Sequence, residues 1–315
     1  MSNVTIIRPQ SREEWLDIRK SGIGSSEVAT IVGLNPWETP YQLWRRKTGL
    51  DEPKQENAAM RNGHHLEDAV SRMWNDATGR EIIKRSAIDW IIRDNDRPYL
   101  QVSPDRTYWL GDSRSPEAKG ILEIKTTRMK VDPDDLPKYW FTQVQYQLGV
   151  AGYTQGSLAW LSAGQGFDFG YQDLKLVPDF YEWLIDEVSK FWTDNIVGGQ
   201  EPAAGNVADV LLKYNSHTGG KIIECSDEVF EAYKELKEVK KLMDEAKAHK
   251  EELEATLKMA FQDAEALSYG GETIATWKAP KPSSKFDDKA FIAEHPDMAA
   301  TYTRQVQGAR RLLLK

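Results

Sequence analysis

Two acids and a lysine stand in an order that suits metal-assisted cleavage of a phosphodiester: Asp105 in Ser103-Pro104-Asp105 and, eighteen residues on, Glu123-Ile124-Lys125. Such chemistry needs a hard cation, an activated water and a positive group facing the charge that develops on the phosphoryl oxygens. Magnesium takes oxygen ligands and keeps several of its waters, so two carboxylates can converge on it without completing a cage. In an extended chain alternate side chains share a face, which puts Glu123 and Lys125 side by side with Ile124 turned away. Taken alone, the pair fits a solvated strand face with a cross-strand salt bridge equally well. The elements around it must decide.

Gly120–Thr126 alternates with period two and reads as the strand that carries Glu123 and Lys125. Ile88–Ile92 and Tyr99–Ser103 are strand signals before it, so Asp105 falls at the end of a strand. Ser11 as N-cap with Glu14 predicts a short helix up to Arg19, which Gly22 and Gly24 break. Ser25-Ser26-Glu27 opens a second helix, and Tyr41–Trp44 starts a third after Pro36 and Pro40. The polar stretch Asp51–Asn57 separates that from a helix over about Met60–Ala77, with Leu66, Val70, Met73 and Trp74 at helical spacing. Lys138–Gly149 reads as a helix bearing Gln143, Gln145, Tyr146 and Gln147; Gly156–Leu161 and Asp168–Leu176 read as a strand and its hairpin partner, and Pro178–Asn195 as an amphipathic helix. Gly, Pro and Ala cluster over Gly198–Ala208 and mark a boundary. Domains are expected at 1–200 and 201–315. In the second, Ser226–Ala266 is a long charged helix with an imperfect apolar stripe through Val229, Tyr233, Leu236, Leu253 and Leu257. The simple reading of that helix is a solvated face; the sharper one is an arm for a partner. Glu272–Trp277 looks like a strand, with Arg310–Lys315 as its expected mate.

The 315 residues are 40% hydrophobic, enough for a core, and carry a net charge of −8. That charge speaks against a nucleic-acid partner, which calls for a basic footprint. The average hides the distribution: acids concentrate over Asp227–Glu265, while Arg and Lys recur at Arg12–Lys20, Arg45–Lys47 and Lys125–Lys130. One cysteine, Cys225, excludes an internal disulfide and a cysteine-built zinc or iron–sulfur site, and fits a reducing cytoplasm. No apolar run reaches the length of a membrane span, and Met1–Gln10 lacks the apolar stretch of a secretory signal.

The chain resembles the YqaJ-type phage recombination nucleases and, more distantly, phage lambda exonuclease, within the PD-(D/E)xK nuclease superfamily. The resemblance is carried by Trp15–Val28, Gly63-His64-His65-Leu66-Glu67, Val102–Asp105, Leu122–Lys125 and Gln143–Tyr146, and covers about residues 10–195. Thr276-Trp277-Lys278 and Ala293–Asp297 also resemble the tail of longer YqaJ-type members. It implies an α/β fold with a restriction-endonuclease-like core: a small mixed sheet flanked by helices, here followed by a mainly helical extension ending in strands. It implies a 5′-to-3′ exonuclease on double-stranded DNA ends that leaves a 3′ single-stranded tail, works with an annealing protein and forms a homo-oligomer, a trimer. By the same resemblance Asp105, Glu123, the Ile124 carbonyl and Glu67 hold Mg²⁺ or Mn²⁺. Lys125 positions the attacking water, Gln143 reaches the scissile strand or a water, and Arg19, Ser25 and Ser26 hold the 5′-terminal phosphate. A helix N-terminus beside an arginine is a physically sound anion site.

Alternatives stay open for most of these positions. Glu67 also reads as an exposed helix carboxylate, Arg19 as a surface residue, Ser25 or Ser26 as a plain N-cap and Gln143 as part of a polar helix face. His64 and His65 read as helix surface, without partners at metal-site spacing. The lambda-type tyrosine three residues before the glutamine is replaced by Trp140, with Tyr139 beside it, which leaves that position's role open. Trp37, Trp44 and Trp74 each fit core packing or a wedge against DNA. The competing functions are an endonuclease or single-strand-specific nuclease of the same fold, and a non-catalytic DNA-binding module of a recombination complex.

Overall fold

A computed structural model describes residues 3–51, 57–83, 90–115, 118–164, 166–305, 308 and 310–315. The chain divides into two compact units, Met1–Lys213 and Tyr214–Lys315. In the first unit the order is β1 (Val4–Ile7), α1 (Arg12–Lys20), β2 (Ile23–Gly24), α2 (Ser25–Ile31), α3 (Pro40–Lys47), α4 (Ala58–Thr78), β3 (Ile82–Ile83), β4 (Ile91–Asp94), β5 (Leu100–Val102), β6 (Arg106–Trp109), β7 (Lys119–Thr127), α5 (Lys138–Ala151), β8 (Gln155–Ser162), β9 (Asp168–Lys175), α6 (Pro178–Lys190) and α7 (Val207–Lys213). A π-helical turn, Phe191–Val197, continues α6.

The strands of this α/β unit form two mixed sheets rather than the single sheet expected. One runs β1-β4-β5-β2 and the other β3-β6-β7-β8-β9. In the second, β7 and β8 are parallel, with Glu123 opposite Leu158 and Lys125 opposite Trp160, and the other pairs are antiparallel. Asp105 lies in the turn between β5 and β6, where the chain leaves one sheet for the other, and so just beyond the strand end the sequence suggested. Of the expected strand at Ile88–Ile92, Ile88 and Asp89 lie outside the described residues and β4 begins at Ile91. The greater part of the polar stretch Asp51–Asn57 also lies outside them.

Helix α5 holds the unit together. Tyr146, Val150 and Ala151 join a core with Ile23, Leu100, Val102 and Leu184. On another face, Val144 and Leu148 pack with Ile121, Leu158 and Trp160. The opposite side of β7 buries Leu122 and Ile124 against Val70 and Trp74 of α4. That arrangement explains the alternation in β7: one face belongs to α4, and the other, with Ile121, Glu123 and Lys125, turns to α5. Removing such apolar side chains from water stabilises the unit by roughly 25 cal/mol per Å² of apolar surface. Helix α7 joins the first unit, with Gln42 Nε2 donating to Asp209 at 2.7 Å.

In the second unit α8 (Asp227–Phe261) is capped by Ser226 and precedes a hairpin of β10 (Ala266–Tyr269) and β11 (Glu272–Thr276), then α9 (Asp288–Glu294) and α10 (Pro296–Tyr302). The partner of β11 is therefore β10 rather than Arg310–Lys315. A hairpin across Gly270 and Gly271, both at positive φ, closes at lower entropic cost than a distant tail can. The described end of the chain is held another way: the Tyr233 hydroxyl donates to the Lys315 carbonyl. No helix among the described residues is long and apolar enough to cross a membrane.

Candidate active site

Glu123 sits at the centre of the site and is 2% exposed. Its Oε1 accepts from Lys125 Nζ at 2.6 Å and from Gln143 Nε2 at 2.5 Å, and its Oε2 accepts from Gln147 Nε2 at 2.8 Å. Lys125 Nζ also donates to Gln143 Oε1 at 2.9 Å. The turn before β6 brings Asp105 to β7, where its Oδ2 accepts from the Ile124 N–H at 2.6 Å. Glu67, on α4, accepts from His64 Nδ1 at 2.9 Å and lies 3.7 Å from an Arg106 nitrogen.

The electrostatics follow from burial and from three neighbouring acids. Burial, then Glu123 and Glu67, push the Asp105 carboxyl well above the usual carboxylate range; Lys125 and the Ile124 N–H offset only part of this. Burial works against the charge on Lys125, but Glu123 and Asp105 outweigh it and raise the ammonium above its ordinary value. Lys125 is therefore a standing positive charge and not a ready base. The donor set is all oxygen and short of positive charge, which fits a hard divalent cation. Among the described residues no three His, Cys, Asp or Glu side chains form a ready cage. The set that fits is thus carboxylates completed by main-chain oxygen and water.

The second constellation sits at the β2–α2 junction. The helix begins at Ser25 with Gly24 as its N-cap, and Glu27 Oε2 accepts the Gly24 N–H at 2.8 Å. Arg19 donates to Ser26 Oγ at 3.1 Å, whereas Ser25 is buried and its Oγ accepts from Gln147. The two serines are thus separated: Ser26 is exposed beside the guanidinium, and Ser25 turns toward Gln147. Beneath them Glu27 pairs with Lys47 at 2.8 Å and Arg46 at 3.0 Å. Burial pushes the Glu27 carboxyl up, and Lys47, Arg19 and Arg46 together hold it below its ordinary value.

One cavity of about 150 Å³ joins the two constellations. It is lined by Arg19, Ser25 and Ser26 and also by Glu67, Asp105, Glu123 and Gln143. An adjoining cleft shares Ser26 and Gln143 and adds Lys125, Trp37, Met129 and Tyr139. The three tryptophans left undivided by sequence part here. Trp74 is fully buried, Trp44 donates to the Asn195 carbonyl, and Trp37 is 66% exposed with its ring edge-on to Tyr139. Trp140 is core, while Tyr139 is only partly buried. His64 lines the cavity and touches Glu67; His65 is exposed.

Three residues at or beneath the cavity carried no role in the sequence reading. Gln147 joins Glu123 to Ser25; its spacing of four from Gln143 on one helix was the available signal. Glu27 had none beyond its place after the serines. Arg12, which also lines the cavity, had only its place in a basic stretch.

The model of the YqaJ-like viral recombinase domain matches residues 14–154. Protein YqaJ of Bacillus subtilis (strain 168) is 30% identical over 299 residues, covering 91% of this chain and 89% of that protein. Among solved structures, an alkaline exonuclease from Laribacter hongkongensis aligns at 18% identity and a TM-score of 0.46, over 59% of this chain and 93% of the other. A phage-related exonuclease from Haemophilus somnus 129PT aligns at 11% and 0.41, over 57% and 96%.

Proposed function

This chain belongs to the family of the YqaJ-like viral recombinase domain, and we propose that it is a metal-dependent 5′-to-3′ exonuclease that digests one strand of double-stranded DNA from an end. The observation that carries the reading is the shared cavity: Arg19 and Ser26 open onto the same space as Glu67, Asp105 and Glu123. An enzyme that cuts within a strand has no use for a terminal-phosphate pocket beside its catalytic carboxylates; one that starts at an end does.

Asp105, Glu123 and the Ile124 carbonyl, with Glu67 as a further acid, would hold Mg²⁺ or Mn²⁺. The cation supplies Lewis-acid activation of water and neutralises charge at phosphorus. Lys125 keeps its charge next to Glu123 and orients the attacking water while offsetting charge on the phosphoryl group. Gln143 bonds both Glu123 and Lys125, fixing their separation, and presents its remaining polar surface to the cavity. Arg19 and Ser26 grip the 5′-terminal phosphate by a forked, charge-assisted contact and a hydroxyl. Ser25 supports this pocket from below through Gln147. The expected product is a 3′ single-stranded tail for an annealing protein, and the expected assembly is a homo-oligomer, a trimer by family resemblance.

The test is digestion of linear duplex DNA and of a covalently closed circle with Mg²⁺, each strand end-labelled. Loss of the 5′ strand from linear DNA with the circle left intact is the expected result. Cutting of the circle would leave a nuclease but remove the exonuclease reading. DNA binding without any cleavage would point to the non-catalytic module.

A further inference from the structure

Arg12 stands on the wall of the same cavity, one helical turn before Trp15. Its guanidinium lies over the Trp15 ring at 4.0 Å from the centroid, and that of Arg19 lies over the same ring at 4.5 Å. Trp15 is 5% exposed and anchored in the fold, so one rigid ring fixes where both cations stand. Contact with the ring's π-system stabilises each cation where it stands.

Arg12 and Arg19 are the arginines among the residues that line this cavity. Arg45, Arg46, Arg80, Arg106 and Arg114 each pair with an aspartate or glutamate. Among the described residues no carboxylate pairs with Arg12; Arg8 and Arg128 also lack one, but of these three only Arg12 lines the cavity. A cation left without an acid partner on a cavity wall leaves the positive charge to be balanced by whatever enters.

The number of charges identifies the visitor. A terminal phosphomonoester, with a second pKa of about 6, carries close to two negative charges at neutral pH. An internal phosphodiester carries one. A lone guanidinium with a hydroxyl balances the diester as well as the monoester; two guanidiniums lining one cavity match the dianion.

We propose that Arg12 is a second phosphate-binding residue, which with Arg19 makes the cavity selective for a dianionic 5′-terminal monophosphate over a hydroxyl end or an internal phosphodiester. This rests on Arg19 and Ser26 being the terminal-phosphate pocket. Arg12 binds the ground state, so its removal acts on capture and not on the chemical step.

The test uses the full chain and linear duplexes that differ only in a 5′-phosphate or 5′-hydroxyl, with wild type, Arg12→Gln and Arg12→Lys. Arg12→Gln is expected to lose about tenfold in kcat/KM on phosphorylated ends, through KM, and clearly less than that on hydroxyl ends. Arg12→Lys is expected to recover part of the loss. Inorganic phosphate is expected to inhibit wild type on phosphorylated ends more strongly than it inhibits Arg12→Gln. An equal loss on both ends would make Arg12 a structural or general DNA contact and overturn the proposal, as would an unchanged preference. A wild type with no end preference would instead remove the pocket itself, which separates the two failures.

Discussion

At Asp105 burial and the carboxylates of Glu123 and Glu67 work together against ionisation. Its folded pKa lies above its unfolded one, so the sign is fixed. Below about pH 4 both states hold the proton and nothing is lost; as pH rises from there toward the folded value, stability is lost. Asp105→Asn keeps an acceptor for the Ile124 N–H and removes the charge. In the presence of a chelator it is expected to stabilise the protein near neutral pH by about 1 kcal/mol, some 2–4 °C, while abolishing cleavage. At about pH 4 the gain is expected to vanish. Thermal unfolding at the two pH values checks this, and a variant no more stable near neutrality would show that the acids there are already compensated. Much of this site was legible residue by residue, since Glu123, Lys125 and Asp105 lie close together as the motif spacing suggests. Arg12, Glu27 and Gln147 were not legible, because their placement depends on a ring, an ion network and a helix face that only tertiary contacts bring together.

At the scale of elements, the β2–α2 junction depends on a bare backbone at Gly24. A Cβ there would come within 2.5 Å of the Arg19 guanidinium. That group is the end of a flexible side chain, so it can swing aside without disturbing the fold. Gly24→Ala is therefore expected to leave the melting temperature within about 2 °C and to lower the rate on 5′-phosphorylated ends more than on hydroxyl ends. Melting curves beside end-specific rates test it, and a large loss of stability with unchanged end preference would mean the glycine serves the chain and not Arg19. The longer elements, α4, α5, β7, β8 and β9, were legible because each carries enough periodic residues to show its pattern. Two- to four-residue strands such as β1, β2, β3 and β6 were not: they exist through pairing with distant partners, as Val4 with Asp94 and Ile23 with Leu100. The same physics misassigned Arg310–Lys315, since a short tail gives no local sign of whether a nearer strand has already taken its mate.

At the scale of the molecule, every residue assigned to catalysis or to the terminal phosphate lies in the unit Met1–Lys213. In the other unit the apolar stripe of α8 is open: Val229, Leu236, Leu253 and Leu257 are all exposed, and Phe261 is the one residue of the helix that is buried. That stripe suits a partner or a second copy of the chain, in keeping with the oligomer proposed above. The net charge of −8 says little about the cavity: the unit Met1–Lys213 is itself acidic, yet Arg12 and Arg19 stand together on the cavity wall. The central claim is that Lys125, held charged between Glu123 and Gln143, serves metal-dependent cleavage at this cavity. The most direct measurement is the rate at which linear, 5′-phosphorylated duplex DNA is digested with Mg²⁺ and with excess chelator, by wild type and by Lys125→Ala. Digestion by wild type with Mg²⁺ alone, reduced in Lys125→Ala by at least about a hundredfold, is the expected result. Cleavage that persists in the chelator, or a Lys125→Ala variant as fast as wild type, would contradict it.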